Sequence, residues 1–395
     1  MFKLWLIVEL LLAVSNVFAD PCEITLPTGL ASPQPVIVAN GSLLRPTNVV
    51  TSFSEDEEIT LHCAGNKNKI VPLKQQTATL RCLGGDVFYY EETGQKLAFQ
   101  DLYCTHEPAA DLLVTENSCG NGSGVFYEVG FQVNDDFQSL FSICYNTDAH
   151  QTVYARNLLN GRALQFKVID STRRSFRADG MGFTTAAINN YYLVKNQRTR
   201  FKTYFGSDQS YLNTTSFLAR GHLAPDADFI FSYEQLASYF YVNCAPEWQA
   251  VNAGNWLRVE NAVRKMATAF SSDLLTFTST LGQLELPDDS GDLTTIYLDS
   301  NKLLPAPKWY YKVLMHPDLA VDLVILTLNN PFATVGSEVE FCTNVCDKYN
   351  LETISDFGAH AARGYTFCCE LNDFWANAMG TDTPYYDLPD GWSYK

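Results

Sequence analysis

The stretch Leu218-Ala219-Arg220-Gly221-His222-Leu223-Ala224-Pro225-Asp226-Ala227-Asp228-Phe229 is followed by Asn243-Cys244-Ala245-Pro246-Glu247, and then by Val251-Asn252-Ala253-Gly254-Asn255-Trp256-Leu257-Arg258-Val259-Glu260-Asn261-Ala262-Val263-Arg264. The third segment reads as a helix from Asn252 to Ala269. At about 100° per residue, Asn252, Trp256, Glu260 and Arg264 make one slanted stripe along it. An amide oxygen, a carboxylate and a guanidinium on one stripe suit a site that holds a hydrated cation beside a phosphate. A solvated face with an intrahelical Glu260 to Arg264 pair is the plainer reading of the same spacing. His222 shifts the balance: imidazole titrates near about 6.5, so around neutrality it takes a proton from water. Gly221 removes a side chain where something approaches the backbone closely.

Working outward, Ser171 to Lys202 holds Arg173, Arg174, Arg177, Lys195, Arg198, Arg200 and Lys202 against Asp179 alone. The whole chain has a net charge of −17, which repels polyphosphate at long range, so any nucleic-acid contact must be local to such a strip. With 395 residues, 46% hydrophobic, the chain buries one large core or two moderate ones. Residues 20–145 read as short β segments (Pro35–Val38, Ile59–His62, Thr79–Cys82, Val87–Tyr90) between Gly, Pro, Asn and Asp turns, a small disulfide-braced β domain. From 146 to 395 the pattern is mixed α and β, with Trp309–Leu314 and Val321–Leu328 as two buried strands around His316-Pro317-Asp318.

Residues 1–19 carry Lys3, an apolar run from Leu4 to Val14 broken by Glu9, and the ending Val17-Phe18-Ala19, which fits a signal peptide cut before Asp20. That run is too short for a membrane anchor, and no later stretch reads as a span. The chain is expected to be secreted, with saliva or a gut lumen as its destination. Of eleven cysteines, six lie in the first third (Cys22, Cys63, Cys82, Cys104, Cys119, Cys144), four near the end (Cys342, Cys346, Cys368, Cys369), and Cys244 stands apart. The arithmetic is three bridges, two bridges and one odd thiol, with connectivity left open. Cys368 and Cys369 do not bond each other, because neighbours along a trans chain sit at about 3.8 Å and a bridge needs roughly 5.5 Å. Asn40, Asn121 and Asn213 head glycosylation sequons.

The chemistry-bearing stretch resembles the DNA/RNA non-specific endonucleases of the ββα-metal type, and within them is most similar to secreted arthropod nucleases known as double-stranded ribonucleases. Arg220-Gly221-His222 match the family's Asp-Arg-Gly-His, with Ala219 in place of its first residue. Asn243 and Pro246 match its Asn-x-x-Pro. Asn252, Trp256, Glu260 and Arg264 match its Asn-x3-Trp-x3-Glu-x3-Arg without a gap, and Arg174, Phe176 and Asp179 match its Arg-x-aromatic-x-x-Asp. The resemblance covers about residues 145–370. It implies an α+β fold, a ββα-metal core whose central antiparallel sheet is flanked by helices, behind the β domain. It also implies His222 as general base, Asn252 as ligand of Mg²⁺ (Mn²⁺ able to replace it), Glu260 orienting metal-bound water, Arg174, Arg220 and Arg264 clamping phosphate, and Asn243 supporting the loop and the metal asparagine. The substrates would be DNA and RNA, including duplexes, cut with little sequence preference to leave 5′ phosphates. A secreted nucleic-acid binder of the same fold that cuts weakly or not at all is the competing function, and an extracellular adhesion protein is a third. Oligomeric state is not legible from the chain.

Overall fold

The computed structural model describes residues 20–170, 173–316, 322–349, 358–379 and 387–388. Residues 1–19, expected to be a leader, and the expected turn at Pro317 and Asp318 lie outside the described residues. Val36–Ala39, Ser42–Leu43, Glu58–His62, Thr77–Cys82, Val87–Tyr90 and Gln95–Ala98 form a six-stranded sheet, with a ribbon of Cys22–Thr25 against Val50–Phe53 beside it. Each β segment read from the alternation of this region is present. Cys22–Cys82 and Cys63–Cys104 close this smaller unit.

The larger unit is built on eight strands: β1 (Asp111–Cys119), β2 (Gly124–Val133), β3 (Asp136–Asn146), β4 (Gln151–Asn160), then β7 (Asp273–Gln283), β8 (Pro307–Met315), β9 (Asp322–Leu328) and β10 (Thr366–Glu370). Their order across the sheet is β10-β9-β8-β7-β4-β3-β2-β1, antiparallel throughout. Strands β1 to β3 precede residue 146 and join β4 through a short turn, Asn146 pairing with Gln151. A separate hairpin, β5 (Leu218–His222) with β6 (Cys244–Trp248), stands off the sheet. Helices α1 (Thr185–Tyr191) and α2 (Val194–Phe205) are hydrogen-bonded to it, α3 (Ser232–Ala237) lies between its strands in sequence, and α4 (Leu257–Phe270) packs on β4 and β7.

Side chains alternate across a strand, so β8 supplies both faces of the sheet. Trp309, Tyr311, Val313 and Met315 face a layer with Phe277, Leu326, Phe367, Phe374 and Trp375. Tyr310 and Leu314 face the other layer, which holds Trp256, Val259 and Val263. Each such fully buried side chain contributes roughly 1.5–3 kcal/mol by leaving water. The same alternation separates adjacent Cys368 and Cys369, which bond Cys346 and Cys342 respectively. Cys119–Cys144 is the fifth bridge and Cys244 is a buried free thiol, as the count of cysteines requires. Asn40, Asn121 and Asn213 are all exposed.

Candidate active site

The hairpin exists because β5 and β6 run five residues each in register, Leu218 opposite Trp248 and His222 opposite Cys244. Gly221 is required there: a Cβ on it would lie 2.3 Å from Glu247 Oε2 and 2.8 Å from the Tyr310 hydroxyl. The hairpin is thus pressed flat against β8. Between its strands runs a long connection in which every residue from Asp228 to Asn243 is buried. Asn243, wholly buried, locks its two ends: Oδ1 accepts from Ala224 N at 2.9 Å, and Nδ2 donates to the carbonyls of Ala224 and Ser238 at 2.8 and 2.9 Å. Both amide hydrogens are therefore committed inside the loop, and Asn243 acts on the loop and not on Asn252.

His222 ends β5 with its ring half-buried between Phe176 and Tyr239, centroids at 4.9 and 5.1 Å. Its Nε2 is shut from solvent and meets no hydrogen-bond partner among the described residues. Burial pushes the imidazole down to about 4, against the pull of Asp226. Arg173 forms an ion pair with Asp226 at 3.4 Å. Arg173 is thus the segment's guanidinium nearest the histidine in effect; Arg174 instead donates from Nη2 to the Glu107 carbonyl at 2.7 Å.

Arg220 is fixed. Its Nε donates to the Tyr241 hydroxyl at 2.8 Å and its Nη2 to Asn189 Oδ1 at 3.1 Å, while the guanidinium lies 4.7 Å from the Tyr192 ring centre. Arg264, on α4, donates from Nη1 to Asp228 Oδ1 at 2.7 Å and from Nη2 to Asn261 Oδ1 at 3.0 Å. Its Nη2 lies 3.8 Å from Glu260. Burial pushes the Glu260 carboxyl up to about 7, Arg264 opposing and Asp228 reinforcing the shift. Beneath them Lys312 on β8 is buried, hydrogen-bonded to Thr278 Oγ1, and donates to Leu223 O at 3.5 Å. Burial pulls its ammonium down while Asp228 and Glu260 hold it up. Asp228 also accepts from Asn157 Nδ2 on β4 at 3.2 Å. His222, Asp226, Asp228, Glu260, Arg264 and Lys312 therefore form one electrostatically coupled group.

Asn252 stands half-buried ahead of α4, on a widened turn. The continuous helix expected from Asn252 is broken at Gly254, whose φ −106° and ψ −120° are not helical, and regular α-helix starts at Leu257. The cause is the close passage of Arg363, whose carbonyl would sit 2.8 Å from a Cβ on Gly254. Trp256 is buried against Tyr310, centroids 5.4 Å apart, and so anchors the helix and not the site's open face.

The order of two strands, an intervening loop and a helix, with His222 on the first strand and Glu260 and Arg264 on the helix, is that of one catalytic family, and residues 122–374 match the sequence pattern of DNA/RNA non-specific endonucleases. The chain belongs to that family. It is a nuclease by this membership. It is 30% identical to the salivary protein Tsal1 of Glossina morsitans morsitans, with 92% of each chain covered. It is 31% identical to a salivary endonuclease of Lutzomyia longipalpis, over 92% of this chain and 84% of that one. The crystal structure of the EndoG/EndoGI complex covers 50% of this chain and 74% of that chain at 18% identity, with a TM-score of 0.33.

Among the family-matched positions, the structure brings His222, Glu260 and Arg264 into the coupled group and fixes Arg220 on the neighbouring aromatic side chains. Asp226, Asp228, Arg173 and Lys312 escaped the sequence reading. Their signal was present for Lys312: a charged residue inside Trp309-Tyr310-Tyr311-Lys312-Val313-Leu314 must find buried partners.

Proposed function

We propose that this chain is a secreted, Mg²⁺-dependent endonuclease that hydrolyses phosphodiesters of DNA and RNA, duplexes included, with little regard for sequence. The observation that carries the reading is His222, an imidazole kept unprotonated at neutral pH, with Nε2 unpartnered among the described residues, beside the Asp226, Asp228, Glu260 and Arg264 group. In this reading the His222 imidazole takes the proton of the attacking water. Arg220, already held by Tyr241 and Asn189, meets phosphate oxygens without reorganising. Arg264 keeps Glu260 and Asp228 in place, Arg174 and Arg173 extend the positive wall, and Asn243 holds the loop that carries both aspartates.

The donor chemistry fits a cation that keeps most of its water. Asn252 offers a neutral carboxamide and Glu260 a carboxylate, and among the described residues no three His, Cys, Asp or Glu side chains converge as a cage. Asn252 would hold the ion and Glu260 would orient its waters. When bound, Mg²⁺, or Mn²⁺ in its place, neutralises charge on the phosphate and on the leaving 3′ oxygen. The products carry 5′ phosphates. All these contacts address phosphate, which carries no sequence information.

Secretion is supported by the leader pattern at 1–19, five disulfides and relatives with salivary names. Among the described residues no helix is long and apolar enough to cross a membrane. The reading is tested by digesting plasmid DNA and double-stranded RNA with Mg²⁺, with EDTA, and with His222→Ala. Cutting by the wild type with Mg²⁺ alone, to ligatable 5′-phosphate ends, is expected. Equal cutting by wild type and variant sinks the reading and leaves a nucleic-acid binder.

A further inference from the structure

We propose that the exposed basic face of α2 is a second, non-catalytic binding site for the phosphate backbone of a nucleic-acid duplex. The partner class rests on the nuclease reading above; the geometry does not. From Gly180 to Ser207 the chain has no carboxylate and four cations, Lys195, Arg198, Arg200 and Lys202, in a protein with 44 acids and 27 bases. The helix turns three of them one way. At about 100° per residue, Lys195, Arg198 and Lys202 fall within roughly 60° of one another, alongside the seam of buried Gln197, Phe201 and Phe205. Lys195 and Lys202 are exposed and Arg198 is half-exposed, and none of the three makes an ion pair among the described residues. Arg200 falls about 140° or more from these three around the helix, and its Nε is shut from solvent. Like charges one helical turn apart repel by a few tenths of a kcal/mol per pair. A polyanion reverses the sign of that cost.

The stripe is rigidly tied to the catalytic hairpin. Gln197 Nε2 donates to Leu218 O at 2.8 Å, and Leu218 N donates back to Gln197 Oε1 at 2.9 Å, four residues before His222. Asn189 of α1 adds the contact to Arg220. A backbone lying along α2 is therefore held in fixed register with the scissile position. The stripe spans eight residues, about 10.5 Å of helix rise, enough for two or three phosphates. It offers no ring for stacking: Phe201 and Phe205 are buried, and half-buried Tyr204 donates to Tyr297 O at 3.4 Å. Single strands are gripped by stacking as well as charge, so a surface of charge alone on a stiff helix suits a duplex.

The test measures binding and not cleavage. In full-length protein carrying His222→Ala, the affinity for a duplex of about 30 base pairs is followed across a salt series, with and without Lys195→Ala, Arg198→Ala and Lys202→Ala together. The slope of log affinity against log salt should fall by roughly 2–3, and by roughly 2 for Lys195→Ala with Lys202→Ala alone. Removing three other exposed lysines, Lys69, Lys74 and Lys96 of the smaller unit, should leave the slope unchanged. An unchanged slope in the α2 variants overturns the site, and so does an equal loss in the lysine control. A loss as large for a single strand as for the duplex overturns the choice of partner. Failure of the nuclease reading looks different: the wild type does not cut, while the α2 dependence of binding persists.

Discussion

Arg264 and Asp228 are joined by a buried ion pair, Nη1 to Oδ1 at 2.7 Å, with side chains 10% and 3% exposed. Arg264 rides on α4, Asp228 belongs to the hairpin loop, and Asp228 reaches Asn157 on β4, so the pair ties helix, loop and sheet together at one point. Taking one partner from a buried pair strands the other charge, at about 3–5 kcal/mol. Asp228→Ala is expected to lower the thermal midpoint by roughly 5 °C and to release Glu260 from its neighbour. Thermal unfolding checks this, and a midpoint within about a degree of wild type refutes it.

Asn252 is the neutral ligand in the proposed site. Asn252→Ala should leave folding intact and raise the Mg²⁺ concentration that gives half-maximal cutting by at least about tenfold, since few protein atoms share that work. A Mg²⁺ titration of plasmid cleavage decides it. An unshifted midpoint would move the ligand role elsewhere.

Glu234 sets a pH dependence of stability. It is buried in the loop, where Oε2 accepts from the amides of Ile230 and Phe231 at 3.0 and 3.1 Å, and burial pushes its carboxyl up to about 7. A folded-state value above the unfolded one means that the folded chain holds a proton which the unfolded chain has released. Its stabilising contribution is complete below the unfolded value near 4.5 and fades as pH rises through about 7. Glu234→Gln keeps the acceptor oxygen and removes the titration, so the fall in thermal midpoint between pH 5 and pH 8 should flatten by a few degrees. Parallel profiles for variant and wild type would remove Glu234 from the account.

Ala219, the departure from the family motif, sits directly opposite Glu247 across the hairpin. Glu247 is fully buried, both its oxygens lack partners among the described residues, and burial with Glu260 nearby lifts it well above the carboxylate range. A second acid at 219 would face it at about 5 Å. Ala219→Asp should therefore destabilise the protein at pH 8, and Ala219→Asp with Glu247→Gln should recover most of the loss, a coupling of about 1–3 kcal/mol. Additive effects in that double-mutant cycle would mean the two positions are independent.

What the sequence disclosed was local. Arg220-Gly221-His222, the Asn252 to Arg264 spacing and the cysteine count could be read because each depends on neighbours along the chain. The Asp228 to Arg264 pair could not, since it joins residues 36 apart through folding of the loop. The β segments named from the sequence of residues 20–145 stop at Tyr90, and the pairing of β1 to β3 onto β4 is not among what they disclose, because such pairing is decided by contacts between strands. Helical periodicity continues unbroken through Gly254, so the widened turn shows itself only where Arg363 crosses it. One position separates Arg173 from Arg174, and backbone direction alone sends one to Asp226 and the other to Glu107.

The connection between the hairpin strands is solid: Asp228 to Asn243 are sixteen consecutive buried residues, and one asparagine pins the connection's two ends. A segment packed this tightly yields little when a polymer meets the site beside it, so accommodation falls to the guest. In the proposed reading, helical stiffness, nicks, mismatches and groove shape of the incoming strand pair would then govern which links are severed first, and selectivity would come from the pliability of the substrate in place of recognition of its letters.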